Sequence, residues 1–562
     1  MSDEQMQRQQ KRKAQTRWGQ MKTERDQFFD WWRDLAQHHL PHRGKFLTGE
    51  NDDVKASRNV AHNNRSLLAR RTLAAGMMSG MTSPARPWFQ LSTGDDDLDD
   101  SPAVKEWLYE CTKRMIRVFS MSNLYNSLQS YYNELSVFAT ATLGVFEDGK
   151  DIIRVVTYTA GEYCIAVDGK DRCETFYREY PLTVEQLVTE FGQENLPKEV
   201  TTPWKAGKLD ATFKVLHLVE PNDDRSGWDM FADDLPYRSV YYLMDIDHAA
   251  PLRSSGFNEK ALLTARWAIN SGECAYGTEC PGMMSLGDTM TLQVAEKLSA
   301  KMLHRMADPA LRAPTKMRRQ LGSKTPAPGT IIFSDESGDV EELIKGHRPD
   351  LGSLEVRNEK MERRINEAYF VDLFRMLADT DRRQITAREV AEKHEEKLLQ
   401  LGPVLERLHS ELLDPLIARV FGIMMRQGLL PDIPEELEEV ESLTVSYISV
   451  LAQAQKLVTL SAIESTVAFA AEMANIDPSA RHRIDVDTAI EEYAEVRGAN
   501  PALVRSRDDA RKLAQQDAQA AQAAQAAEIA NTASQTAKNM ADVQPDGAAG
   551  GVAAVMREAG LA

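Results

Sequence analysis

Basic residues stand out first, because the chain as a whole is acidic. Its 562 residues include 67 Lys and Arg against 85 Asp and Glu, a formal charge of -18. Against that background Arg312, Lys316, Arg318, Arg319 and Lys324 crowd into one Pro/Gly-rich stretch, and Arg382 and Arg383 sit side by side in a short polar loop. Cations grouped in this way suit phosphate or an acidic partner surface. The alternative is ordinary solvated charge. The net acidity argues against gripping nucleic acid over the whole surface, and leaves contact at a few points open.

Residue patterns that announce catalysis are missing. There is no G-x-x-x-x-G-K-[ST] loop to cradle phosphates, no G-x-G-x-x-G, no H-E-x-x-H and no G-x-S-x-G, so a P-loop ATPase and the common hydrolase signatures are not written here. His38, His39 and His42 are close enough to suggest zinc, yet a closed site needs a fourth ligand from a partner segment and none is evident. Asp95, Asp96, Asp97, Asp99 and Asp100 resemble a calcium loop only in their alternation, since its glycine and distal glutamate are missing; a solvated acidic loop is expected. Five cysteines, 111, 164, 173, 274 and 280, form no Cys-x-x-Cys pair and fit a reduced compartment. No metal and no cofactor are expected. With no signal-like apolar run after the basic N-terminus and no stretch of about 18 apolar residues, a soluble protein made in a cytoplasm and without membrane contact is expected.

The elements that must position these groups alternate in kind. Length suggests about three or four domains or sub-domains. Trp18, Met21, Phe28, Trp32 and Leu35 predict one amphipathic helix over 17–40. Helices follow at Ala103–Phe119 and Asn123–Phe138. Short β-rich runs between Gly/Asp turns then predict an antiparallel sheet over about 142–244, with a short helix at Val184–Phe191. Asp288 is expected to cap a helix to Met306, with Leu292, Ala295, Leu298, Met302 and Met306 along one side. A second rod, Leu354–Leu377, carries Met361, Ile365, Ala368, Asp372 and Met376 in one row. Between the rods lies the basic Pro/Gly-rich insert, with a strand at Ile331–Phe333. After the polar loop, Thr386 with Glu389 forms a capping box and Ile385 with Val390 a hydrophobic staple. Gly402-Pro403 and Pro415 are expected to bend that helix, and Gly428 and Pro431 to end it. Further helices are read at Leu443–Met473, Asp485–Arg497 and Pro501–Ala530. The last is Ala/Gln-rich with little to bury, and the tail from Asn539 reads as disordered.

The most constrained stretch is Leu67–Leu91, LLARRTLAAGMMSGMTSPARPWFQL. Gly76 and Gly80 among alanines and methionines let another backbone approach. Pro84 and Pro87 forbid a continuing helix, and Trp88-Phe89 supplies a large apolar anchor.

That stretch also opens a resemblance. LAAGMMSGMTSPARPWFQL, Phe213–Pro221, Arg266-Trp267 with Gly272-Glu273 and Tyr276-Gly277 before Leu286 and Asp288, and Ile385–Val390 together resemble the portal proteins, or head-to-tail connectors, of short-tailed bacteriophages (podovirus type). The likeness spans about residues 15–500. Thr278-Glu279-Cys280-Pro281 departs from the tighter Gly-Pro turn expected after Tyr-Gly, which leaves the backbone before the first rod open.

The resemblance implies an α+β, mainly helical portal fold in a cyclic ring. By order, 1–287 would be the wing, 288–306 the first stem helix, 307–353 the clip and 354–377 the second stem helix. The tunnel loop would be 378–385, followed by a long kinked helix returning to the wing at 386–442 and the crown at 443–500. Residues 501–538 could extend as a helical barrel, with a tail at 539–562. It further implies twelve subunits around a channel for double-stranded DNA, used in packaging and ejection at the unique portal vertex of the virion. Partners would be the terminase large subunit, capsid and scaffold proteins, tail adaptor or nozzle proteins and internal head proteins. Arg382 and Arg383 would face the channel. Arg312, Lys316, Arg318, Arg319 and Lys324 would meet terminase, tail adaptor or DNA. Gly76, Gly80, Pro84, Pro87, Trp88 and Phe89 would be structural, fixing wing packing and assembly. Two rivals are another virion ring such as a tail adaptor, and a cytoplasmic enzyme with an unrecognised site.

Overall fold

Side-chain alternation along one ten-residue strand, Thr212–Pro221, divides the β-rich part into two faces. Leu216 and Leu218 pack with Trp18 and Met21 of the first helix. Val215 packs with Leu187, Phe191 and Val200 of two short helices on the opposite side. This is the period-2 pattern of a strand buried on both faces.

The computed structural model describes residues 3–41, 61–99, 101–223, 225, 234–307, 311–317, 331–334, 339–342, 351–380, 401–437 and 444–447. Beyond these it describes 466–470, 472–473, 485, 489–490, 493 and 507–541. The chain forms two units, Met1–Ser465 and Thr466–Ala562. In order, the first unit contains α1 (Asp3–Asp26), α2 (Phe29–His39), α3 (Arg65–Met81), β1 (Phe89–Ser92), α4 (Asp96–Asp99), α5 (Pro102–Met121) and α6 (Leu124–Phe138). Next come β2 (Thr140–Asp148), β3 (Ile152–Tyr158), β4 (Tyr163–Val167), β5 (Cys173–Thr183), α7 (Val184–Phe191), α8 (Lys198–Lys205), β6 (Thr212–Pro221), β7 (Tyr237–Leu243), β8 (Arg253–Phe257) and β9 (Leu262–Arg266). After these are α9 (Pro281–Ala307), β10 (Leu311–Pro314), β11 (Ile331–Ser334), β12 (Glu341–Glu342), α10 (Leu351–Ala368), α11 (Val371–Thr380), α12 (Asp414–Arg426) and β13 (Thr444–Tyr447). The second unit holds α13 (Arg507–Ala541), 35 residues long. The mixture of helix and antiparallel sheet is α+β, as expected.

The large sheet runs β4-β5-β6-β7-β8 and a smaller one β3-β2-β9, with antiparallel pairing throughout both. Helices α3, α5 and α6 and residues 401–426 build the main core around β2 and β9. Thr183 caps α7 with a complete capping box to Gln186.

Five expectations change in the structure. The helix over 17–40 is two helices, α1 and α2, with a turn at residues 27–28. The turn sends Trp18 to one face of the large sheet, while Phe28 and Trp32 pack on Tyr276. The first rod begins at Pro281, so Asp288 is not its cap. Asp288 instead binds Arg364 of the second rod at 2.6 Å. The five residues read along one side are not covered alike: Leu292 is buried while Leu298 and Met306 are exposed. The second rod is broken at Tyr369-Phe370. The chain is helical through Gly402-Pro403, and the irregularity lies at His409–Leu413, a π-turn just before Pro415. A proline inside a helix removes one hydrogen bond, and a wider turn accommodates that loss. Finally, Thr444–Tyr447 is not helical but an antiparallel partner of Phe89–Ser92.

The departure at Thr278–Pro281 has a definite path. Thr278 donates its amide to the Ala268 carbonyl, and the Cys280 thiol donates to the Val137 carbonyl at 3.2 Å. Gly277 rests on the Ala139 carbonyl so closely that any Cβ there would overlap it.

Candidate interaction site on the rod pair

The first rod, α9, and the second, α10, lie side by side and are stitched together by polar groups. Besides Asp288–Arg364, Asn358 donates to Glu296 at 3.3 Å, and Asn63 donates to Glu362 at 2.9 Å. Gln293 donates to the Asn63 carbonyl at 2.6 Å and accepts the His62 amide at 2.7 Å. Inward-facing Leu286 and Leu292 of α9, and Met361 and Ile365 of α10, are buried.

The outward side of α9 is different in kind. Met290 is 40% exposed, Val294 58% and Leu298 47%. These three lie four residues apart, on one stripe of the helix. Met284, Leu303 and Met306 are exposed as well, and Val356 of α10 joins them. A scattered exposed apolar side chain needs no explanation, but a run of them along one helix marks a surface that something covers. The sequence reading placed Leu298 and Met306 along one side with Leu292 and did not distinguish covered from open positions. Spacing gives the side of a helix on which a residue lies, not whether this chain covers it.

Between the rods, β10 pairs parallel with β11 and antiparallel with β12. Arg312 lies on the central strand, opposite Ile332 and Glu341 in register, and donates to Ser334 Oγ at 2.6 Å. Lys316 is exposed in the turn that follows. Arg312 on β10 and Lys316 in the turn directly after it are thus neighbours in the chain. Arg318, Arg319, Lys324, Arg382, Arg383, His42 and the Thr386–Glu389 capping box lie outside the described residues.

Much of the Leu67–Leu91 stretch packs into this chain's own core. Trp88 is fully buried, stacks on Phe119 at 6.0 Å and donates its indole N–H to the Tyr125 hydroxyl at 3.4 Å. Phe89 packs on Trp88 and Phe119. Gly80 is buried, whereas Pro84 and Pro87 are exposed. The close approach is at Gly76, where a Cβ would lie inside the Phe374 ring of α11.

The histidines and acidic residues read as possible ligands have other duties. His39 Nδ1 and the Tyr369 hydroxyl share a hydrogen bond of 2.9 Å. Burial holds His39 neutral, with its pKa down to about 3. Asp99 accepts from Ser92 Oγ, the Thr93 amide and Thr93 Oγ1 at 2.6–2.9 Å, so it anchors the loop after β1 rather than standing free in solvent. No group of three or more His, Cys, Asp and Glu side chains suited to a metal occurs among the described residues. Burial pushes the thiols of Cys111, Cys164 and Cys280 up to about 12 and that of Cys173 to about 11, so at neutral pH they are not thiolates.

Several ion pairs, two of them on the buried Arg266 and Arg419, are part of the frame and were not legible in sequence. Arg266, in the resemblance segment, is 1% exposed. It binds Glu411 of the π-turn with its guanidinium at 2.6 Å and with its own amide at 2.9 Å, and it reaches Asp171 at 3.2 Å. Arg419 and Arg426 of α12 both hold Glu259, at 2.7 and 2.5 Å. Glu220 gathers Tyr177, Arg17 and Arg238. A cleft of about 300 Å³ between α1 and the loop after β7 is lined by Arg8, Lys11, Asp245 and Asp247. Its Lys11 is spent on the carbonyls of Ile246 and His248, so the mixed charges do not make an anion site.

Taken together, the described residues make a sheet-and-helix body holding two paired rods, with a small three-stranded sheet between them in the chain and an apolar stripe along the first. A profile described as "Bacteriophage head to tail connecting protein" matches residues 11–504. The chain belongs to that family. It is 38% identical over 528 residues to the "Portal protein" of Salmonella phage epsilon15, covering 93% of this chain and 94% of that one. It is 36% identical over 516 residues to the "Probable portal protein" of Bordetella phage BPP-1, covering 90% and 92%.

Proposed function

We propose that this chain is a phage portal protein: a ring subunit at the head-to-tail junction of the virion, around a channel for double-stranded DNA. Near-full-length identity to two chains named as portal proteins supports the role. The observation that carries the ring is the apolar stripe Met290-Val294-Leu298 on the outer side of the first rod. An apolar row that one chain leaves in water is covered when a second copy meets it, and head-to-tail contacts that close produce a ring. Among the described residues no helix is long and apolar enough to cross a membrane.

In this reading α9 and α10 are the stem, starting at Pro281 rather than 288, and the sheet β10–β12 with Arg312 and Lys316 belongs to the clip. Arg318, Arg319 and Lys324 complete the clip's cationic surface. That surface docks the terminase large subunit during packaging and the tail adaptor or nozzle afterwards. Arg382 and Arg383, in the 378–385 loop, face the DNA. A few cations centre or brake the duplex, where many would bind it firmly, because each neutralised phosphate adds affinity. The wing meets capsid and scaffold proteins. The 443–500 crown and the long Ala/Gln-rich helix lie toward internal head proteins. The role requires no catalysis by this chain.

Negative-stain class averages and native mass measurement test the proposal. The expected particle is an annulus of twelve chains of 63.0 kDa, roughly 0.76 MDa. A monomer or small oligomer under every condition overturns it.

A further inference from the structure

The break in the second rod is imposed by tertiary contacts. From Leu354 to Leu401 the chain has no Gly or Pro, and the sequence Asn366-Glu-Ala-Tyr-Phe-Val-Asp-Leu-Phe374 contains nothing that stops a helix. Yet α10 ends at Ala368 and α11 restarts at Val371. The joint puts Phe370 at φ 52°, a left-handed conformation that a bulky L-residue adopts only under constraint. Two contacts supply that constraint. On one side Tyr369 is fully buried, and its hydroxyl bonds His39 of α2. On the other, Phe374 fills the space that Gly76 of α3 leaves open. Val371 and Leu373, also buried, hold α11 against the same core.

A segment whose local preference is continuous helix, held bent by a strained residue and two discrete contacts, has two competing arrangements. We propose that Tyr369-Phe370 is a two-state joint. In one state α11 is bent and docked on α3 through Phe374 and Gly76. In the other α10 and α11 form one straight rod, with the His39–Tyr369 bond and the Phe374 contact released. Ala378–Thr380, the last turn of α11 and the first part of the 378–385 segment that the portal reading assigns to the channel, travels with α11. The joint itself rests on the geometry of this chain, and only its consequence for DNA rests on that reading.

Spin labels at Lys360→Cys and Arg375→Cys, both exposed positions, report the two states in the full-length chain carrying Cys274→Ser, with labelled subunits diluted by unlabelled ones. In a continuous helix the two sites are 15 residues apart, about 22 Å along the axis. The bent form gives a shorter distance. Gly76→Ala and Tyr369→Phe, each confirmed to be folded by its melting transition, are expected to move the population toward the long distance. Phe370→Gly removes the cost of the left-handed residue and is expected to leave only the short one. One unchanged short distance in all four proteins overturns the joint, and so does a long distance in Phe370→Gly. Ring formation is scored separately by particle mass, so failure of the portal reading and failure of the joint are read on different measurements.

Discussion

The Arg65–Ser92 segment and the first rod are both rich in Met, Leu and small residues, yet they end in opposite situations. The former closes on itself: Trp88 and Phe89 are sealed against Phe119, Gly76 against Phe374, and the Phe89–Ser92 strand is paired with Thr444–Tyr447. The latter is half finished, with Leu286 and Leu292 buried but Met290, Val294 and Leu298 in water. The difference teaches that one region completes its fold within a single chain, whereas the other leaves apolar surface open, the surface that the proposed ring covers. Composition is the same in kind, and what differs is how much apolar surface finds a partner within the molecule.

Substitutions can break this comparison in order of size. Trp88→Ala is expected to destabilise the chain by about 3–5 kcal/mol, because it opens a cavity among packed rings. A denaturant midpoint close to that of the parent would show the clamp to be dispensable. Glu411→Ala should cost a similar 3–5 kcal/mol, since it leaves the buried Arg266 facing Asp171 alone. Here Glu411→Gln, which keeps a neutral acceptor, should lose less in the same melt.

The other side of the comparison predicts an opposite pattern. Val294→Asp with Leu298→Asp should abolish the ring while shifting monomer stability by no more than about 0.5 kcal/mol each, as for exposed sites generally. Sedimentation and melting on the same sample decide it, and intact rings from the doubly charged variant would return the stripe to ordinary surface.

Acid should act through two buried histidines, His39 of α2 and His217 of β6. His39 and His217 are both buried with pKa values lowered to about 3, and His217 is stacked on Tyr241 at 4.0 Å. Their folded pKa lies below the unfolded value of about 6.5, so the unfolded chain binds more protons between these limits. Stability is therefore full above about pH 6.5 and is lost as pH falls toward 3. His217→Phe should flatten part of that acid limb in melting curves taken from pH 7 to 4. The smallest expected effect is that of Lys316→Ala, exposed on the insert: no measurable change in melting, but weaker terminase binding by the ring.

Much of the frame was legible from local pattern. β-rich runs at 142–146 and 213–219 identified strands, the segment Val184–Phe191 a short helix, and Pro84/Pro87 the exit from α3, because these signals act over a few residues. The break at residues 27–28 and the bend at Tyr369-Phe370 were not legible, since no Gly or Pro marks either. Both arise because distant rings, Tyr276 in one case and His39 with Gly76 in the other, reward a turn the local chain does not prefer. The interaction surface was half legible. The cations of the insert are visible as composition, whereas the apolar stripe on α9 emerges only once Leu292 is known to face inward.

The sequence by itself determined the α+β class, the two rods, the basic insert between them and the family, because periodicity, breakers and motif segments are local properties of the chain. Tertiary structure alone decided that Asp288 joins the rods instead of capping one, that Phe89–Ser92 pairs with a strand some 350 residues away, that Arg266 closes on a π-turn, and that the second rod bends. Each of these rests on a contact between residues far apart in the chain. Such contacts are set by which surfaces are left to bury after local structure has formed.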